Sequence, residues 1–135
     1  MSDELFEKGL KIRKEVLGEA YVEKAMASAD AFNRDFQHWV TASAWGAAWG
    51  QETLSRRDRS LLNLVMLAAL GRGTEFKLHV KGAVNNGVTL AEMKDALLHM
   101  TVYCGAPAGV EAFRLARQAL EEIGVDPAEA DQAPT

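Results

Sequence analysis

The run from Ser60 to Leu70, SLLNLVMLAAL, constrains this 135-residue chain more than any other segment. It is apolar nearly all round and interrupted only by Asn63 after its opening serine. Its length falls far short of the roughly 20 residues a membrane-spanning helix needs. Such a segment reads as a helix buried on most sides, at the centre of a small domain or against a partner subunit. Ser55 precedes it as a candidate N-cap, since its hydroxyl can accept from a free backbone N–H. No stretch shows the strict alternation of a half-buried strand, and no internal repeat occurs.

The remaining punctuation is also helical. Asp3 to Leu17 reads as a first helix stopped at Gly18, a residue suited to the left-handed position after a helix. Tyr21 to about Trp49 reads as a second helical region, with Phe32, Phe36, Trp39 and Val40 forming one stripe. Gly71 and Gly73 break the chain, and Thr74 is placed to cap a helix running to Asn86 and ending at Gly87. Thr89 to Glu92 is a capping box, in which hydroxyl and carboxylate satisfy each other's backbone donors. It opens a helix with Met93, Leu97, Met100 and Cys104 on one face. Pro107 suits the first turn of a last helix, which ends near Gly124. The expectation is an all-α, compact bundle of about six helices. A single domain spans 1–124, with a flexible tail over 125–135.

Composition removes several classes of function. The net charge of −4 disfavours nucleic-acid binding through bulk charge. Cys104 is the only cysteine, so no intrachain disulfide or CxxC pair exists. It reads as a small buried hydrophobe. The opening MSDELFEKGLKIRK alternates charges and carries no apolar run, so it does not read as a signal peptide, and a cytoplasmic protein is expected. No HxxxH, HExxH, Gly-rich phosphate loop or G-x-S-x-G elbow is present, so no metal site is expected.

Three clusters carry groups that could do chemistry. LSRRDRSL (54–61) puts arginines into the first turn of the apolar helix, where the dipole disfavours them. Arg56 and Arg59 share a face, and the cluster suits either a solvated helix start or an anionic partner. In RGTEFKLH (72–79), Glu75 and His79 lie one turn apart, with His79 at the border of the stripe Phe76, Val80, Ala83 and Val84. A carboxylate so placed can fix the tautomer of the imidazole and raise its pKa. The pair is also a common solvent-exposed arrangement. His99 and Tyr103 are likewise one turn apart, and either flank a core helix or line a pocket.

Six segments occur in order over nearly the whole chain: FNRDFQ (32–37), AWGAAW (44–49), L-x-R-x-x-R-S-L (54–61), ALGR (69–72), EFKLHVKGAVNNGVT (75–89) and YCGAPA (103–108). Together they make the chain resemble the carboxymuconolactone decarboxylase family of the alkylhydroperoxidase D-like superfamily. The likeness is greatest to stand-alone members that act in protocatechuate catabolism, on the β-ketoadipate pathway. Peroxidase-type members carry C-x-x-C-x-x-x-H; aligned on His79, those cysteines would fall at Arg72 and Glu75, which disfavours thiol chemistry here.

The resemblance implies a lyase that decarboxylates 4-carboxymuconolactone, a small anionic lactone, to β-ketoadipate enol-lactone plus CO2. The electrons left by CO2 flow into the conjugated lactone carbonyl, so the substrate is its own electron sink and no cofactor is implied. The reaction needs cations for the carboxylates, a donor where charge develops on the lactone oxygen, and an acid for the α-carbon. Under this implication Arg56, Arg59 and Arg72 hold carboxylates, His79 is the proton donor oriented by Glu75, and Tyr103 or His99 polarises the carbonyl. The resemblance also implies a homo-oligomer, trimeric or hexameric. The competing readings are a superfamily enzyme for another lactone or a peroxide, and a non-catalytic oligomeric helical protein.

Overall fold

The computed structural model describes residues 3–131, which are helical with short connections and, among the described residues, contain no strand. They form two compact units that divide between Arg56 and Arg57, where the sequence reads as one domain to residue 124. Each unit has its own apolar cluster.

The first unit holds α1 (Asp3–Leu17), α2 (Glu19–Ala27), α3 (Arg34–Val40) and a π-helical segment (Thr41–Ala48). Helix α1 stops at Gly18, at φ 97°. The single long helix expected from Tyr21 to Trp49 is broken at residues 28–33. There the Asp30 carboxylate accepts from the backbone N–H groups of Phe32 and Asn33, and the Asn33 side chain accepts from the N–H of Asp30. Such side-chain bonds offer the backbone an alternative to the helix ladder. The break also overturns the apolar stripe: Phe32, Phe36 and Trp39 are all exposed.

The core of this unit is instead α1 against the π segment, with Ile12, Val16, Trp45 and Trp49 buried and the two indoles stacked at 5.0 Å. Two glycines allow the approach. A Cβ on Gly9 would fall on the carbonyl oxygen of Thr41, and one on Gly46 on that of Leu5. Arg13 is buried beside them. Its Nη1 donates to Gln37 Oε1 at 3.0 Å and to Thr41 Oγ1 at 3.1 Å, and burial lowers its pKa. The Thr41 hydroxyl in turn donates to the carbonyl of Gln37 at 2.7 Å, at the point where α geometry gives way to π. A side chain competing for that carbonyl is a recognised cause of local helix distortion.

The second unit holds the rest of α4 (Arg56–Ala69), then α5 (Gly73–Asn85), α6 (Leu90–Cys104), α7 (Ala106–Glu122) and a 3₁₀ helix (Pro127–Asp131). Helix α4 ends in a Schellman turn: the N–H of Gly71 bonds to the carbonyl of Ala68 and that of Arg72 to Leu67, with Gly71 at φ 71°. This reverses the chain, and α5 starts one residue before the expected cap, so Thr74 lies inside it. The same bonding pattern ends α5 at Gly87 and α7 at Gly124. The capping box Thr89–Glu92 is present, and Glu92 also pairs with Arg57. Pro107 lies in the first turn of α7.

Leu64, Phe76, Val80, Met93, Leu97, Met100, Ala119 and Leu120 make the core of this unit. Lys77 and Lys81 tie α5 to α7 by both donating to Glu122, at 2.6 and 2.7 Å, which holds its carboxyl down to about 2. Two expectations are corrected. Helix α4 is not at the centre of the single chain: Ser60 and Leu64 are its buried residues, while Leu62 and Met66, and Leu70 just beyond it, are exposed, the face that the sequence also offers to a partner subunit. Cys104 is exposed, because the buried face of α6 stops at Met100. The segment read as a flexible tail is placed as far as Asp131: Val125 packs on the core and Lys94 pairs with Asp131 at 2.7 Å. Residues 132–135 lie outside the described ones.

Substituting Gly9 by Ala forces α1 and the π segment apart. The expected cost is about 2 kcal/mol or more, read as a lowered urea midpoint. Unchanged stability would show that the two helices do not meet at this point.

Candidate active site

The geometry around His79 begins with α4 and α5 lying antiparallel across the Gly71 turn. Polar contacts cross between them. Asn86 Nδ2 donates to Ser60 Oγ at 2.8 Å, and Asn63 Nδ2 approaches His79 Nδ1 at 3.5 Å. Ser60 is fully buried, His79 and Asn63 partly so. The contact pairs the Asn63 carboxamide with Nδ1 of the imidazole, and which group donates follows the tautomer of the ring. Arg59 is partly buried one helical turn before Asn63, on the same side of α4.

Burial pushes the pKa of His79 down to about 4, and the charge of Glu75 raises it by less than burial lowers it. Glu75 lifts the imidazole as expected, and burial outweighs it. Glu75 is exposed, and among the described residues it enters the site only as a charge. At neutral pH His79 is an uncharged imidazole presenting an N–H.

Each of the other sequence candidates has its own surroundings. Arg56, the first residue of α4, is exposed and pairs with Glu15 of α1 at 2.6 Å. It lines a cleft of about 450 Å³ in the first unit with Lys8, Lys11 and Trp49. Arg72 is exposed at the N-cap of α5. His99 and Tyr103 are both exposed on α6, with their rings 5.1 Å apart. Among the described residues neither shares a hydrogen bond, ion pair or ring contact with His79. The partner that sequence reasoning missed is Asn63. Its signal was present as the one polar interruption inside an otherwise apolar helix, since a polar residue there needs a partner.

A model described as the carboxymuconolactone decarboxylase family matches residues 34–118, more than half of the chain. The chain belongs to that family. The family match covers α3 through most of α7, including His79, Asn63 and Arg59. Over 128 residues the chain is 39% identical to a 4-carboxymuconolactone decarboxylase of Acinetobacter baylyi, covering 94% of this chain and 96% of that protein. Over 119 residues it is 42% identical to a nitrosuccinic acid decarboxylase of Metarhizium robertsii, covering 88% of this chain and 83% of that protein. Both relatives are decarboxylases by name, which points to a carboxy-lyase. The two named substrates differ.

The buried state of His79 has a signature in stability. Unfolded chains protonate this imidazole near 6.5, while the folded protein does not until about 4. Its contribution is therefore intact above pH 6.5 and is lost as pH falls towards 4, by up to about 3 kcal/mol. Denaturation of the parent and of His79→Gln between pH 7 and 4 should show the parent losing more stability over this window. Parallel curves would mean that His79 is not desolvated.

Proposed function

We propose that the protein is a cofactor-independent carboxy-lyase whose substrate is 4-carboxymuconolactone and whose product is β-ketoadipate enol-lactone. The observation that carries this reading is 39% identity extending over almost the full length of both chains. Its place would be protocatechuate catabolism.

The chemistry needs little from the protein beyond charge and a proton. The bond from the γ-carbon to its carboxylate breaks, CO2 leaves, and the electron pair moves through the ring into the lactone carbonyl. The resulting dienolate takes a proton at the α-carbon. Arg59 is suited to a substrate carboxylate, and Arg56 and Arg72 are further candidates. Each would supply planar, charge-assisted donors. Bringing a dianion next to His79 supplies the negative charge that burial lacks, so the imidazole gains a proton as the substrate binds. It then delivers the proton from Nε2 to the α-carbon and returns to its neutral state. Glu75 adds to the same field.

A second reading is favoured by a specific observation, the 42% identity to a nitrosuccinic acid decarboxylase. Loss of CO2 beside a nitro group makes the same demands, since that group also accepts the electron pair. Incubating the protein with each acid separately, with EDTA present, and following CO2 release and the lactone's ultraviolet absorbance chooses between them. Turnover of neither would overturn the proposal.

The role of His79 is tested by kinetics. Replacement by Ala should lower kcat by about 10²–10⁴-fold, the usual worth of one positioned acid. In the parent, kcat/KM should fall by about tenfold per pH unit above 5, because the free protein must gain a proton to react. A flat kcat/KM between pH 5 and 8 would show that the imidazole acts as a neutral donor instead.

A further inference from the structure

Helix α7 has two working sides. Ala112, Leu115 and Glu122 turn towards α5, with Leu115 against Gly73 and Glu122 bonded to Lys77 and Lys81. The other side faces a cleft of about 530 Å³, bounded by α6, α7 and the 3₁₀ helix, which is within the range of small-molecule sites. Its floor is the core itself, since Met93, Leu97, Ala116 and Leu120 line it and are buried. Phe113 stands at the wall with much of its ring exposed.

The charges around this apolar floor are unbalanced. Lys94, Arg114 and Arg117 line the cleft against one carboxylate, Asp131. Asp131 is engaged by Lys94 at 2.7 Å, and Arg114 is engaged by Glu111 at 2.6 Å. Arg117 has neither a hydrogen bond nor an ion pair among the described residues. It lies one turn beyond Phe113, so an aromatic face and an unengaged guanidinium adjoin on one side of one helix. An apolar ring resting on the core beside Phe113 would place a carboxylate at Arg117, where bidentate bonding is available.

We propose that this cleft is a second ligand site, separate from the α4–α5 face that holds His79, and that it takes a planar, apolar monocarboxylate. The ring extends the core, and the single carboxylate completes Arg117. A dianion fits less well, because Asp131 lines the same cleft and Arg114 is already neutralised by Glu111.

Benzoate is the probe, titrated into the full-length protein by calorimetry, with benzyl alcohol as its uncharged counterpart. Benzoate should bind saturably with a Kd on the order of 1 mM, as befits so small a ligand. Benzyl alcohol should bind about tenfold more weakly or worse, for want of a charge-assisted bond. The Arg117→Gln variant should lose about as much affinity for benzoate, while His79→Gln should bind it like the parent. The proposal is overturned by an absence of saturable binding, or by equal affinity for the alcohol. It is overturned equally if affinity is lost in His79→Gln and kept in Arg117→Gln, which would place the ring at the α4–α5 face. Arg117 is exposed, so its replacement leaves the fold intact, and the comparison of the two ligands needs no variant. The readout is binding, so it stands whether or not the protein turns over a lactone.

Discussion

A hydroxyl with no access to water must find a partner inside the protein, and Ser60 meets that requirement through the amide of Asn86. That bond sets where α5 lies along α4. With the register fixed near one end of the hairpin and the Gly71 turn closing the other, Asn63 is brought opposite His79. The site is thus a by-product of a packing constraint. Slipping α5 by one residue would leave Ser60 unsatisfied and carry His79 to another face.

The first unit obeys a different rule. Its helices meet backbone to backbone, which only a missing side chain permits, and Gly9 and Gly46 are the residues that allow it. Arg13 is held in the same place by a carboxamide, a hydroxyl and the sulfur of Met26, with no carboxylate among these partners. Its field is therefore not cancelled locally. Net burial of an arginine on such terms depends on the hydrogen bonds being well made.

What could be read from residue order alone was what is decided within a few residues. Gly18, the Thr89–Glu92 box and Pro107 each work through neighbours three or four positions away, and each stands where the pattern placed it. The stripe Phe32–Phe36–Trp39 failed because the short polar side chains of Asp30 and Asn33 captured the backbone first, a contest that apolar periodicity ignores. The π segment left no mark, although the threonine at its start bonds back to the carbonyl of Gln37 and also meets an arginine 28 positions earlier. His79 and Glu75 were legible as a pair by spacing, but the balance between them was not. Burial, which decides that balance, depends on contacts remote in sequence, Asn63 of α4 among them. Asn63 was visible as an oddity, and its partner lies 16 residues away.

The contact between Asn63 and His79 carries one more implication. A carboxylate in that position would ionise within the working range of an acid, and the tautomer of the imidazole would follow its titration. A carboxamide has no such equilibrium. Asn63 therefore adds no titration of its own, and the acidity of the site answers to the imidazole and to whatever charge is brought beside it. In the proposed reaction, selectivity for an anion and activation of the acid are then the same event.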